Sequence, residues 1–223
     1  KYHKNEVVPI EKENELVIKR VIHTSADFDY ADNLCFSDGA VAKGIEALRG
    51  GCDIVTDTTM ARSGINKNIL GLLGGEAHCF VADEDVAREA KERGVTRSSV
   101  AMERAARLEK PCIFAIGNAP TALISLYEQI KAGKLAPALI IGVPVGFVNV
   151  VESKELIIES GIPCIVNRGR KGGSNVAAAI CNALLYQIRR GRRWRNILLK
   201  TENVCGWGIP PAPVLPQQRK PRR

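Results

Sequence analysis

With 223 residues, 45% of them hydrophobic, the chain has material for one large α/β domain or two small ones. It holds no run of eighteen or more apolar residues, and its opening Lys1-Tyr2-His3-Lys4-Asn5 lacks the apolar block of a signal peptide, so a soluble, cytoplasmic protein is expected, with no membrane partner. The net charge of +8 points toward a polyanion, yet residues 187–223 carry ten basic side chains against one acid, leaving the remainder near neutral and giving no reason to expect a specific nucleic-acid partner.

Residues 1–14 read as a polar leader, 15–186 as one α/β domain and 187–223 as a basic, proline-rich tail expected to be disordered. The first informative stretch is Val21-Ile22-His23-Thr24-Ser25-Ala26-Asp27-Phe28-Asp29-Tyr30, which surrounds one of three histidines with hydroxyls and carboxylates. Histidine titrates near neutrality, so His23 is a candidate acid; the plainer alternative is a packed residue at a helix end. A helix is expected over Asp38–Arg49, capped by Ser37 and closed by Gly50-Gly51. Short unbroken apolar runs predict strands at Cys52–Val55, His78–Val81, Cys112–Ile116, Ala138–Val143 and Cys164–Val166. Helices are expected between them at Asp83–Arg93, Val100–Leu108, Pro120–Lys131, Glu152–Ser160 and Ser174–Tyr186. This alternation predicts a mainly parallel sheet of five or more strands covered by helices on both faces, with ligands at the C-terminal strand edge.

The segments just past the strands are small, polar and rich in glycine: Thr56-Asp57-Thr58-Thr59-Met60, Gly117-Asn118-Ala119-Pro120-Thr121, Pro144-Val145-Gly146-Phe147-Val148-Asn149, and Arg168-Gly169-Arg170-Lys171-Gly172-Gly173-Ser174. The last, three cations and three glycines leading into a helix, suits a carboxylate or a phosphate. No G-x-G-x-x-G follows the first strand, and neither a P-loop nor a G-x-S-x-G elbow occurs. His3, His23 and His78 are far apart in sequence and the seven cysteines fall singly, so no metal site is expected; His78 reads as a structural strand residue and the cysteines as core.

Taken together, Arg20–Tyr30, Phe36–Gly44, Asp57–Asn66, Thr96–Ser98, Ala115–Ala122, Ile141–Lys154 and Arg168–Asn182 resemble, in order, the motifs of the precorrin-8X methylmutases, most closely those acting on cobalt-precorrin-8. The resemblance spans about Val17 to Tyr186. It implies an isomerase that moves a methyl group from carbon 11 to carbon 12 of ring C of a corrinoid, giving (cobalt-)cobyrinic acid. No cofactor is implied, any cobalt belonging to the substrate, and a homodimer is expected. It also implies that His23 donates a proton to the macrocycle, with Thr24 and Asp27 as candidates to orient the ring or to shift the pKa of the donor.

Arg97, Ser98, Arg168, Arg170 and Lys171 then become candidate carboxylate partners. Asp57, Thr58, Asn118 and Thr121 are candidate hydrogen-bonding groups, and Met60, Val145, Gly146 and Phe147 a candidate apolar wall. Ser174 opens the helix after the cationic loop. Relatives usually carry an additional helical segment before the matching region, where this chain has the short leader. Arg62, within Ala61-Arg62-Ser63-Gly64, stands where a smaller or apolar residue is expected and is either an added carboxylate contact or a disruption of the site on this reading. Two other function classes fit the same loops: a corrinoid carrier without catalysis, and a transferase or phosphatase acting on a small anion.

Overall fold

The structure, a computed structural model, describes residues 11–190. Its elements in chain order are α1 (Glu15–Ser25), α2 (Tyr30–Asn33), β1 (Leu34–Phe36), α3 (Ala40–Arg49), β2 (Asp53–Thr56), α4 (Thr59–Gly64), α5 (Lys67–Leu72), β3 (Ala77–His78), α6 (Glu84–Arg93) and α7 (Arg97–Ala105), then β4 (Cys112–Ile116), α8 (Pro120–Lys131), β5 (Leu139–Gly142), α9 (Val150–Glu159), β6 (Cys164–Asn167) and α10 (Ser174–Arg190). Of the tail expected from residue 187, only 187–190 are described, as the end of α10; the rest of it, Cys205 included, and all of the leader but residues 11–14 lie outside the described residues.

Six strands form one sheet in the order β1-β6-β5-β4-β2-β3. All neighbours run parallel except β1, which pairs antiparallel with β6. The central strands β2, β4, β5 and β6 are buried along their whole length, which explains their continuous apolar sequences. Side chains alternate across the sheet. Phe114 and Ile116 of β4 pack with Val86, Met102, Leu126 and Ile157, so α6 to α9 cover one face. On the other face Gly44 of α3 lies against Leu139 of β5 and Leu184 of α10; a methyl group there would meet both at about 3 Å.

The chain leaves β2 toward β3 on one side and then returns to the opposite side of β2 for β4, β5 and β6. The strand order therefore reverses between β2 and β4, the crevice where open α/β sheets place ligands. Glycine is required where loops crowd this edge. A Cβ on Gly117 would sit 2.7 Å from Ser174 Cα, and one on Gly172 would sit 2.0 Å from the Val143 carbonyl oxygen.

Several boundaries differ from the sequence expectation. The antiparallel β1 and helices α1, α2, α4 and α5 were not among the expected elements. Helix α3 starts at Ala40 with Gly39 at its N-cap. Ser37 instead accepts a hydrogen bond from the Cys164 amide at 2.8 Å, so its hydroxyl ties the chain after β1 to β6. Strand β3 is only two residues long, because it sits at the sheet edge with a single neighbour. Helix α7 begins three residues early, at Arg97, since Thr96 caps it by accepting from the Ser99 amide. Helix α10 continues past Tyr186 to Arg190 and buries Ile188.

Candidate functional site

The site is assembled from the loops after β2, β4, β5 and β6 and from the segment after α1. At its base lies Asp57, 2% exposed, immediately after β2. Its carboxylate accepts from the amides of Gly117 at 2.9 Å and of Asn118 and Ala119 at 2.7 Å each. Burial pushes this carboxyl above its ordinary pKa, against the pull of the three amides. Asp57 thus pins the loop after β4 to the loop after β2 and holds the crevice to one shape. Beside it Thr58 caps α4 by accepting from the Ala61 amide, and its hydroxyl pairs with Ser174 at 2.8 Å. That contact joins the β2 loop to the first residue of α10.

Thr121, in the first turn of α8, accepts from the Thr96 hydroxyl at 3.0 Å. The bond brings the Arg97-Ser98 turn to the β4 loop. Arg97 is exposed and has no ion-pair partner among the described residues, as is also true of Arg170. Asn118 is exposed beside the crevice.

On the β5–β6 side, the Gly146 amide donates to the Arg170 carbonyl at 3.2 Å, and the Arg170 guanidinium lies 5.8 Å above the Phe147 ring. Phe147 is 86% exposed and Met60 70%, while Val145 and Val148 are also exposed. Arg168 is engaged by Glu155 of α9 at 3.3 Å. Lys171 contacts both Asp27 and Asp29 at 2.6 Å, which raises its pKa and holds the Asp27 carboxyl below its usual range. A cavity of about 480 Å³ opens here, lined by Asp29, Tyr30, Val151, Arg168, Arg170 and Lys171 among others.

His23 occupies the last turn of α1, exposed and without a hydrogen-bond partner among the described residues. The helix stops there because Ala26 turns to a left-handed conformation, φ 54°, and returns its amide to the Ile22 carbonyl. Thr24 spends its hydroxyl on the Arg20 carbonyl at 2.9 Å. Its hydroxyl proton is therefore committed to the helix. Arg62, expected as a carboxylate contact, directs its Nε to the Ala77 carbonyl at 3.1 Å and so supports β3. Asn66 and Asn182, both within the family-like motifs, hold each other: the Asn66 amide donates to Asn182 Oδ1 at 2.8 Å.

Hydrogen bonds therefore join the β2 and β4 loops through Asp57, the β2 loop and α10 through Thr58 and Ser174, and α8 and the N-cap of α7 through Thr121 and Thr96, while Gly146 is bonded to Arg170 and Lys171 to Asp27. His78 sits in β3 with Nε2 3.1 Å from Asp53, as a strand residue bound to a buried carboxylate. Of the six described cysteines four are buried and Cys35 and Cys79 half-buried, and burial pushes the thiols of Cys52 and Cys181 to about 12 and that of Cys112 to about 11. Such thiols are inert core residues.

Two residues of this region carried no assignment from sequence. Lys154, a charged residue in α9, is 0% exposed and donates to the carbonyls of Gly169 at 2.7 Å and Lys171 at 2.9 Å. Asn167, at the end of β6, donates to the carbonyls of Arg168 and Lys171. A signal for Lys154 was present: it shares the buried stripe Val150, Ser153, Lys154, Ile157, the spacing of a core-facing helix side.

An open α/β sheet with a glycine-rich cationic edge over its crossover crevice is the architecture of a ligand-binding α/β protein, with an edge suited to an anionic ligand. Comparison with known proteins narrows this. The precorrin-8X methylmutase family model matches residues 2–187, and the chain belongs to that family. It is 52% identical over 177 residues to the cobalt-precorrin-8 methylmutase of Salmonella typhimurium, covering 79% of this chain and 82% of that one. Against the enzyme of the same name from Priestia megaterium it is 44% identical, covering 79% and 78%. Among solved structures, the precorrin-8X methylmutase of Thermus thermophilus superposes with a TM-score of 0.74 at 37% identity, over 82% of this chain and 89% of that one.

Proposed function

We propose that this protein moves a methyl group from carbon 11 to carbon 12 of ring C of (cobalt-)precorrin-8, giving (cobalt-)cobyrinic acid, with His23 as the proton donor. Family membership makes it a methyl-shifting isomerase. Relatives named for the cobalt-containing substrate favour that form. What supports the placement of the donor is the Lys171 bridge to Asp27 and Asp29, which draws the segment following His23 against the cationic loop. An imidazole free of other hydrogen bonds at that border can give its proton to the conjugated ring, leaving the migration terminus poorer in electrons. The methyl group then shifts within the macrocycle, and the proton returns as the product forms. Nothing is oxidised or reduced, so the reaction runs without an added cofactor.

In this reading Arg97 and Arg170 meet the substrate's carboxylates, Lys171 serves through its bridge to Asp27 and Asp29, and Ser98, Thr58, Asn118, Thr121 and Ser174 line the crevice with hydroxyl and amide groups. Met60, Val145, Gly146 and Phe147 offer the flat apolar surface. Arg168 serves through its pairing with Glu155, and Asp57 through the loop it pins. We further propose that the protein works in the cytoplasm as a homodimer, the exposed Phe147 and Val148 marking the side on which a second copy packs.

The test is an anaerobic absorbance time course with cobalt-precorrin-8, since methyl migration changes the chromophore. His23→Ala is expected to lose about 100-fold or more in rate while binding product as the parent does. Unchanged turnover in this variant removes the donor role, whereas product binding without turnover in the parent identifies a carrier.

A further inference from the structure

We propose that Lys154 is a positioning residue for substrate binding: from inside the protein it holds the carbonyls of Gly169 and Lys171 in the Arg168–Lys171 loop, so that the loop presents its amides and the Arg170 guanidinium to the substrate. The inference rests on the functional reading above. All four carbonyls of the loop have protein donors. Arg168 O accepts from Asn167 Nδ2 at 3.1 Å, Gly169 O from Lys154 Nζ at 2.7 Å, and Arg170 O from the Gly146 amide at 3.2 Å. Lys171 O accepts from both Lys154 Nζ at 2.9 Å and Asn167 Nδ2 at 3.0 Å. By contrast, the amides of Gly169, Arg170, Lys171 and Gly172 find no acceptor among the described residues.

A loop whose carbonyls are all taken from within exposes only positive ends of its peptide dipoles, which is what a carboxylate requires. The donors at its back are chosen at a cost. Lys154 is buried with no carboxylate partner among the described residues, and its Nζ is hydrogen-bonded to two carbonyl oxygens. Asn167 spends both amide hydrogens on the loop and leaves its own Oδ1 buried without a partner. An uncharged apolar residue would fill the site of Lys154 with less desolvation, but it would release two carbonyls.

The same ammonium reaches the proton donor's segment in two steps. Lys154 fixes the backbone of Lys171, and the Lys171 side chain holds Asp27 and Asp29. Carboxylate capture and the placement of residues 27–29 therefore share one buried anchor.

Lys154→Met keeps the length and volume of the side chain but not its donors. Hydrogen–deuterium exchange on the parent and this variant reads the loop without any ligand. Exchange of the hydrogen-bonded amides around the loop, those of Gly146, Arg168 and Gly173, and of Ala26, Asp27 and Asp29 in the proton donor's segment, is expected to rise at least tenfold, with β4 and the middle of α10 unchanged. A purely structural role would raise exchange throughout or leave these segments alone, and either result overturns the proposal. Titration with cobyrinic acid then gives a double-mutant cycle: Lys154→Met and Lys171→Met each weaken binding about tenfold, and the pair weakens it no further than about tenfold. A multiplicative, hundredfold loss refutes coupling through the loop. Arg97→Met, on another element, is expected to multiply with Lys154→Met. If the parent itself neither binds cobyrinic acid nor turns over substrate, the functional reading fails, and the exchange measurement still decides whether Lys154 holds the loop. Should Lys154→Met not fold, Asn167→Ala removes the neighbouring donors and is expected to raise exchange in the same two segments; no rise overturns the proposal.

Discussion

Asp57 illustrates how a polar residue at a ligand edge can act on the loops behind it. A carboxylate that accepts three amide hydrogens in a buried setting cannot be exchanged for an amide, because the new NH2 would face donors. Asp57→Asn is therefore expected to lower stability by about 3 kcal/mol, read as a shift in the urea midpoint, and to weaken product binding as the β4 loop drifts from the crevice. A midpoint within about 0.5 kcal/mol of the parent would show that the three bonds carry little net energy. Sequence reading placed Asp57 just past a strand as a candidate to hydrogen-bond a ligand, and could not show that its carboxylate is engaged by three amides. Its burial depends on which loop lies above it, and that loop is some sixty residues away. Lys154 is the reverse case. Charge argues for a solvated lysine, and only the carbonyls of residues 169 and 171, brought from the far side of β6, make a buried ammonium tolerable.

Among elements, the buried strands β2, β4, β5 and β6 were legible because each is an apolar run with helical segments before and after it. Strand β1 was not, since Leu34-Cys35-Phe36 is too short for a period and becomes a strand only by pairing with residues 165–167. Helix α1 was also unread as a helix, although its terminal turn carries His23. The loop after β6 shows how glycine content serves packing as well as ligand approach. Gly172 fits because its Cα passes the Val143 carbonyl with no room for a side chain. Gly172→Ala must move either the loop or the end of β5, at a cost of about 1–3 kcal/mol. The expected result is a lower melting temperature together with weakened product binding. Gly169→Ala is the companion control for space, since nothing stands within 4 Å of a Cβ there, although its φ of 73° leaves backbone strain. An unchanged melting temperature for Gly172→Ala would mean that the close approach relaxes without cost.

At the scale of the described molecule, Met60, Val145, Phe147 and Val148 are exposed in the loops after β2 and β5 and Phe28 in the segment after α1, while Leu16, Leu72 and Val95 are exposed elsewhere. Exposed apolar side chains in the loops of a candidate site mark either a ligand wall or a subunit contact. The dimer reading predicts a species of twice 24.2 kDa in sedimentation equilibrium, and a monomer for Phe147→Asp. A monomeric parent at micromolar concentration would assign those residues to substrate alone. Among the described residues no helix is long and apolar enough to cross a membrane. The local sequence by itself determined the layered α/β class, the cationic glycine loop and the family, because apolar runs, glycine spacing and ordered motifs are properties of neighbours along the chain. Only the tertiary structure decided which polar groups are spent inside the protein and which are left for a ligand. That division depends on contacts such as Asp57 with Gly117, Thr58 with Ser174 and Lys171 with Asp27, whose partners lie 60 to 144 residues apart and meet only after the sheet has formed.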